Sequence, residues 1–197
     1  MVPTNTIRWT PGLVTATPSD LKVRSHCHSQ PFRRLAIFII NMQTIKYIFQ
    51  KDQRNIKSFR DGNISFEEFK KKAREISSEF FNLYKENGFP FKNRYSLEEY
   101  KNGIILTLHQ PVDRMEEIYR DLKIKSPEQV EKKDLAYIED KIRVNKKEKQ
   151  LYGTQYKIKD GIIRFLPIEN EREVDKKRAS MGLESIAKYK RKIEGKS

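Results

Sequence analysis

The stretch that decides the fold class is residues 150–168, QLYGTQYKIKDGIIRFLPI. It holds two runs that carry β-branched, aromatic and other apolar side chains, Leu151–Ile158 and Ile162–Ile168, on either side of Lys159-Asp160-Gly161. An Asp-Gly pair between two such runs is typical of a two-residue turn in a β-hairpin. This stretch therefore predicts one antiparallel hairpin near the C-terminal end of the chain.

The turn also predicts the register of the hairpin, because its length decides which residues lie opposite each other. The predicted pairs are Ile158 with Ile163, Tyr156 with Phe165, and Lys157 with Arg164. A lysine opposite an arginine is tolerated only where that face is hydrated or meets an anion. We therefore expect the face that carries Lys157 to be polar and open.

Helical patterns dominate the chain before the hairpin. Ser65–Glu68 and Ser96–Glu99 are capping boxes, in which the serine accepts from a backbone amide and the glutamate reaches back. The run Ile104–Leu108 is apolar nearly all round, which predicts a central buried helix. The predicted fold is therefore α+β and mostly α-helical, a helical domain with one antiparallel β-hairpin near its C-terminal end.

The first 41 residues differ from the rest, since four prolines interrupt them and no periodic pattern runs through them. They favour a disordered extension or one that comes from a start codon assigned too early, with Met42 as the alternative start. Their basic, hydroxyl-rich composition also weakly resembles a targeting segment. We predict one globular domain over residues 42–193 and a short tail over 194–197.

Composition excludes several classes of protein. No apolar run approaches the roughly 18 residues of a membrane-spanning helix, so no membrane span is predicted. The one cysteine, Cys27, excludes an internal disulfide framework and a cysteine zinc cage. Asp61–Glu68 imitates part of a calcium loop, but Lys57 and Phe59 stand where its first ligands belong. We expect no metal, no cofactor and a cytoplasmic location.

The chain is strongly basic, with 41 lysines and arginines against 27 acidic residues and a net charge of +14. The densest basic clusters are Lys146–Lys149 and Lys188–Lys192. Such charge favours anionic partners, yet acidic residues are interspersed and no nucleic-acid motif is present. Nucleic acid or an acidic protein is therefore the alternative partner, and the sequence does not indicate an oligomeric state.

Asp52 is the most informative single residue. It lies four residues after Ile48 and four before Ile56, within an apolar helical stripe. A buried carboxylate needs a donor, a water or a ligand, because burial without a partner costs several kcal/mol. Arg178 could supply the donor in a structural ion pair, or it could bind an anion instead.

His109 is the only histidine after residue 28, and it follows the central helix. A lone histidine at such a position is more often a packing residue than a catalyst. It becomes a candidate acid–base group if Asp52, Asp113 or Asp140 orients its ring.

The hexapeptide Gln150–Gln155 places hydrogen-bonding side chains around Gly153 in a predicted strand. A glycine within a strand indicates a bulge or a close backbone approach. Both a polar ligand site and a purely structural bulge fit this pattern.

These pieces together resemble a bacterial family of unknown function, whose members carry a D-Q pair, G-W-P, Q-H, D-R and Q-x-Y-G-T-Q. The similarity spans about Met42 to Tyr189, with Phe89 in place of the usual tryptophan and Lys141 in place of the usual arginine. Ile56 stands where a basic residue is expected. The corresponding stretches are Asp52-Gln53, Gly88-Phe89-Pro90, Leu108-His109-Gln110, residues 135–141 (LAYIEDK), residues 150–155 (QLYGTQ), Pro167-Ile168 and residues 174–183 (VDKKRASMGL).

The resemblance implies a compact domain and a set of polar residues, and no activity. Our leading hypothesis is a polar pocket that binds a small polar or anionic ligand, with hydrolysis in which His109 is the acid–base group and Asp52 orients it. The alternative is a non-catalytic interaction module, in which the same residues form a buried polar lock, that is, structural contacts that hold the helices together, and the basic surface meets an acidic protein or nucleic acid. The predicted ligand-binding residues are Gln53, Gln150, Tyr152, Thr154, Gln155 and Arg178.

Overall fold

The computed structural model describes residues 30–125, 127–159 and 162–195. Among these, seven α-helices and one two-stranded sheet follow one another along the chain. The elements are α1 (Gln30–Arg60), α2 (Phe66–Asn87), α3 (Leu97–Leu108), α4 (Val112–Lys125), a 3-10 turn (Pro127–Gln129), α5 (Lys132–Asn145), β1 (Tyr156–Lys159), β2 (Ile162–Phe165), α6 (Val174–Ser180) and α7 (Ile186–Ile193). The predicted fold class, α+β and mostly α-helical, is confirmed.

The first helix runs through the predicted domain boundary. It begins at Gln30, so the backbone over residues 30–41 is helical and continuous with the segment that follows Met42. Residues 1–29, the greater part of the predicted extension, lie outside the described residues. They include Cys27 and its neighbours His26 and His28. The division of the chain at Met42 stays a prediction.

Both predicted capping boxes are present. The Ser65 hydroxyl accepts from the Glu68 amide at 3.2 Å, and the Glu68 carboxylate accepts from the Ser65 amide at 3.0 Å. Ser96 and Glu99 repeat the arrangement at the start of α3, at 3.2 and 3.1 Å. Each box satisfies amides that have no partner within the helix, so these two starts are determined locally.

Helix α3 lies at the centre of the fold, as its apolar sequence predicts. It packs against α1, α4 and α5, and Tyr100 and Leu106 are each 1% exposed. A side chain at Gly103 would place its Cβ 2.6 Å from Pro90, so this glycine permits the close approach of the loop before α3. The core is completed by α2, through Ile76, Phe80 and Leu83.

The hairpin has the predicted register. Tyr156 pairs with Phe165, Lys157 with Arg164, and Ile158 with Ile163. Lys157 and Arg164 are both exposed, so solvent screens the like charges.

The strands are shorter than the sequence predicts, because the hexapeptide Gln150–Gln155 is a loop and not part of β1. Gly153 has a φ of +65°, a left-handed conformation that residues of a regular strand do not adopt. Only Gln150 makes a bridge, a parallel one to Ile168. The prediction of a strand here was wrong, whereas of the two readings of Gly153 the close approach fits, because an added Cβ would lie 2.4 Å from Ile186. The loop has another anchor, described below.

No helix within the described ranges combines the length and apolar character that crossing a bilayer requires.

Candidate functional site

The first polar cluster joins α1 to the end of α3. Asp52 on α1 is 7% exposed, and its Oδ2 lies 2.9 Å from Nδ1 of His109. His109 is the residue that ends α3, and its side chain is 39% exposed against 9% for that of Asp52. Of the three aspartates proposed to orient His109, Asp52 is the one that contacts its ring.

The hydrogen bond also gives the two ring nitrogens different roles. A carboxylate can only accept, so Nδ1 of His109 is the donor and Nε2 is the nitrogen left for another partner. Gln53 donates to the same carboxylate oxygen at 2.9 Å, and its side chain lies at the exposed edge of the cluster. The predicted residues Asp52, Gln53 and His109 therefore form one group.

Gln110 fixes the end of α3, and sequence reasoning missed this role. Its amide donates to the Leu106 carbonyl at 3.1 Å and accepts from the Ser77 hydroxyl of α2 at 2.8 Å. Gln110 is 4% exposed, so these bonds are shielded from water. Because His109 is its neighbour, this anchor also restrains the backbone that carries the imidazole.

The second polar cluster surrounds Asp140 of α5, which is fully buried. Its carboxylate accepts from the backbone amides of Leu151, Tyr152 and Thr154 at 2.7, 3.1 and 3.0 Å. The Thr154 hydroxyl donates to it at 2.9 Å. These donors account for the loop conformation, because the amides turn toward one carboxylate instead of a neighbouring strand.

Gln150 closes the same loop from within. Its amide nitrogen donates to the carbonyls of Gln155 and Leu166 at 2.9 and 2.7 Å, and its oxygen accepts from the Gln155 amide at 2.8 Å. The residue is 0% exposed. Its side chain, like that of Thr154, is fully engaged with the protein itself.

Arg178 holds the outer side of the loop. It is 1% exposed, and it donates to the carbonyls of Tyr152 and Glu184 at 2.6 and 2.5 Å. Its guanidinium also lies 4.9 Å from the ring centre of Tyr189. Burial lowers the pKa of Arg178. The pairing of Arg178 with Asp52, one of the two alternatives, is not formed, because Nε and Nη1 donate to backbone carbonyls. Nη2 is buried without a hydrogen-bond partner in the described structure.

Tyr152 and Gln155 are the half-buried members of this cluster. The Tyr152 hydroxyl donates to Glu139 at 3.3 Å, and the Tyr119 hydroxyl donates to the same oxygen at 2.7 Å. Burial, with the charge of Glu139, raises the pKa of Tyr152 to about 12. The Gln155 amide donates to the Thr154 hydroxyl at 3.1 Å.

The predicted site residues therefore fall into two groups. One contains Asp52, Gln53 and His109, and the other is the loop with Arg178. Among the hydrogen bonds of the described residues, none joins the two groups. A single pocket that all of these side chains line stays a prediction.

Asp140 is the residue whose importance sequence reasoning underestimated. It follows the buried Ala136 by four residues, so it lies on a buried face of α5 in the way that Asp52 does on α1. That spacing was the available signal. Within the described part of the chain, no three histidine, cysteine or acidic side chains are grouped so that they could hold a metal ion.

These features define an α-rich α+β protein with an Asp–His pair and a loop organised by a buried aspartate. Residues 109–196 match the model of a family of unknown function, DUF6624. No curated protein and no solved structure gives a significant match to the chain. The match confirms the predicted similarity to a family of unknown function. It includes His109, Asp140, the loop and Arg178, whereas Asp52 and Gln53 precede it.

Proposed function

We propose that His109 is a general acid–base group oriented by Asp52, and that it acts on a small polar or anionic ligand in a hydrolytic reaction. The observation that carries the proposal is the 2.9 Å contact between a largely buried carboxylate and an imidazole that is 39% exposed. Histidine is the usual side chain for proton transfer near neutral pH.

The carboxylate has two effects on the ring. It holds Nδ1 as the protonated nitrogen, which leaves Nε2 as the base, and it stabilises the imidazolium that forms when Nε2 takes a proton. Gln53 and the anchor through Gln110 restrict the movement of both partners. A structural ion pair needs no exposed ring, so the exposure of His109 favours catalysis over a lock.

In hydrolysis, Nε2 of His109 would remove a proton from the attacking water and return it to the leaving group. The net charge of +14 attracts anionic substrates to the surface. Phosphate esters, which are anionic, are therefore the first substrate class to examine, and a neutral carboxylic ester is the comparison.

The test has two readouts. Diethyl pyrocarbonate acylates accessible imidazoles, and mass spectrometry of the full chain locates the adduct. We expect fast modification at His109 and a several-fold slower reaction in Asp52→Asn, which lacks the carboxylate that stabilises the positive charge developing on the ring as Nε2 attacks. Hydrolysis of p-nitrophenyl phosphate, bis(p-nitrophenyl) phosphate and p-nitrophenyl acetate is measured in parallel, with His109→Gln expected to remain folded and inactive.

Equal modification rates in the wild type and Asp52→Asn would contradict the effect of the Asp52 carboxylate on the ring. Hydrolysis that survives in His109→Gln, or that is absent from the wild type with all three substrates, would contradict the hydrolytic proposal. In that case the non-catalytic alternative is favoured. Its signature is salt-sensitive binding of an acidic protein or nucleic acid without sequence preference.

A further inference from the structure

Arg114, the third residue of α4, is a cation that the protein holds in place through uncharged partners. Its guanidinium lies 4.9 Å from the ring centre of Phe81. Its Nη1 donates to the hydroxyls of Ser77 and Ser78, each at 3.3 Å. A guanidinium that is stacked on a ring and bonded to two hydroxyls has little freedom to rotate, so its remaining donors have a defined position.

The charge of Arg114 is not neutralised by its neighbours. Among the residues with described side chains, no carboxylate lies within ion-pair distance of its nitrogens. Glu117, one turn further along α4, is already paired with Lys85 at 2.6 Å. The bonds to the two serines are also longer than the roughly 2.7–2.9 Å of a hydrogen bond between a cation and an anion. An oxyanion can therefore offer this guanidinium stronger bonds than the protein does.

The free donors of Arg114 can be reached from outside. The side chain is half-buried, and its Nε and Nη2 make no hydrogen bond in the described part of the chain. Neither atom is among the buried ones that lack a partner, so both keep accessible surface. Nε and Nη2 form one edge of the guanidinium plane, and they can donate side by side to two oxygens of one anion.

Hydrogen bonds link Arg114 to the end of α3. The Ser77 hydroxyl, which accepts from Arg114, donates at 2.8 Å to the side chain of Gln110. Gln110 directly follows His109, and the chain passes from α3 to α4 within three residues. The guanidinium and the imidazole therefore lie at the same end of α3.

The packing of α1 against α2 brings Asp52 to the same level. Lys51 precedes Asp52 on α1 and lies 2.5 Å from Glu79, and Ser78 precedes Glu79 on α2. Asp52, which holds the imidazole, and Ser78, which holds the guanidinium, are thus each next to a member of one ion pair. A ligand that spans neighbouring helices can contact both groups.

We propose that the Nε–Nη2 edge of Arg114 binds the phosphate group of the ester on which His109 acts. This inference rests on the proposed function and deepens it, because it names the residue that recognises the anion. A guanidinium that is already immobilised loses little conformational entropy when the anion binds. Its charge also offsets the negative charge of the phosphoryl oxygens, which would otherwise repel an attacking water.

Calorimetric titration of the full chain with phenylphosphonate tests the anion site. This probe has the tetrahedral anionic head of a phosphate ester, and its carbon–phosphorus bond resists hydrolysis. We expect Arg114→Gln to weaken its binding about tenfold, as the loss of a charge-assisted hydrogen bond does. Absence of binding to the wild type at millimolar concentrations, or binding unchanged in Arg114→Gln, would overturn the proposal.

Arg120 is the matched control. It is exposed on the same helix, and no described carboxylate lies within ion-pair distance of it either. Arg120→Gln should leave phenylphosphonate binding nearly unchanged. Equal losses in Arg114→Gln and Arg120→Gln would overturn the proposal, because attraction would then follow net charge alone.

Arg114→Lys tests the paired donors, since lysine keeps the charge but has no planar fork. We expect it to bind phenylphosphonate several-fold more weakly than the wild type. Full affinity in Arg114→Lys would overturn the assignment of the Nε–Nη2 edge.

Chemical modification tests the position of the anion beside His109. Phenylphosphonate should slow the reaction of His109 with diethyl pyrocarbonate several-fold in the wild type and have no effect in Arg114→Gln. Without the probe, the two proteins should react at the same rate, which shows that the variant is folded and keeps its Asp52–His109 pair. Binding that depends on Arg114 but gives no protection would overturn the placement of the anion.

The anion site and the hydrolytic reaction fail separately. Protection that depends on Arg114, with none of the three nitrophenyl esters hydrolysed, would contradict the hydrolysis and uphold the anion site. Hydrolysis of p-nitrophenyl phosphate with a KM unchanged in Arg114→Gln would overturn the anion site and leave catalysis by His109 in place.

Competition against phenylphosphonate identifies the source of the phosphate. Stronger displacement by p-nitrophenyl phosphate indicates a small ester, whereas stronger displacement by a hexanucleotide indicates a nucleic-acid strand, and either result upholds the site. Displacement by neither would overturn the assignment of a phosphate ester.

Discussion

Asp52 and Asp140 are both buried aspartates on core helices, yet they have different partners. Asp140 accepts three backbone amides and one hydroxyl, all from the loop over residues 151–154. Asp52 accepts from the side chains of His109 and Gln53, both of which reach solvent. The first aspartate organises backbone, and the second orients an exposed titratable group.

The difference shows how a buried carboxylate can be assigned a role. Backbone donors cannot leave their partner without a change in fold, so the polar groups around Asp140 serve stability. A side-chain donor that keeps one face open to solvent can still take part in chemistry. Burial alone therefore does not distinguish these two aspartates, whereas the identity of their donors does.

The largest expected effect is on stability. Asp140→Asn replaces one acceptor oxygen with a donor that faces backbone amides, so we expect a loss of about 2–4 kcal/mol in the free energy of unfolding. Asp52→Asn is the matched change, and it should cost less than about 1 kcal/mol because its partners reach water. Urea denaturation of both variants measures the difference. Similar losses in the two variants would remove the distinction between the two aspartates.

A smaller effect is expected at Gly153 in the Asp140 loop. Its φ is +65°, and an added Cβ would lie 2.4 Å from Ile186 and 3.1 Å from Ile168. Gly182 is a matched control, since its φ is +69° and nothing lies within 4 Å of its added Cβ. We expect Gly153→Ala to lower the free energy of unfolding by about 1–3 kcal/mol, more than Gly182→Ala does. Both variants strain a positive φ, but only the Cβ at residue 153 collides with neighbouring side chains. Thermal unfolding that ranks the two variants in the opposite order would show that the loop yields easily.

The smallest effect concerns alkaline pH. The pKa of Tyr152 is raised from 10.0 to about 12 by burial and by Glu139, so folding favours its protonated form. This contribution to stability is fully present below about pH 10 and is lost between pH 10 and 12. In Tyr152→Phe, the free energy of unfolding should therefore fall less steeply across this interval than in the wild type. An identical pH dependence in the two proteins, followed by circular dichroism in urea, would contradict the role of this hydroxyl.

Local signals predicted the elements of the fold well. The Asp-Gly turn gave the register of Tyr156 with Phe165, and the capping boxes at Ser65 and Ser96 gave the starts of two helices. Each of these features depends on residues a few positions apart, whose interactions form within the element itself. The strand predicted over residues 151–155 was wrong because its amides bond to Asp140, which lies eleven to fourteen residues earlier in the chain.

The candidate site was predictable only in part. The position of Asp52 in an apolar stripe indicated that it needed a donor, and His109 was one of the two donors that the sequence offered. The choice of His109 over Arg178 came from the packing of α1 against α3, which places the end of one helix beside the middle of the other. Spacing along a chain carries no information about such a crossing.

The sequence by itself determined which segments become helices, where the hairpin turns and that Asp52 lies on a buried face, because periodicity and capping act over one or two helical turns. Tertiary structure alone decided the partners of the buried polar groups. Asp140 pairs with a loop, Arg178 with backbone carbonyls and His109 with Asp52. Each pairing depends on how separate elements pack, because packing decides which donors and acceptors lie within about 3 Å of each other.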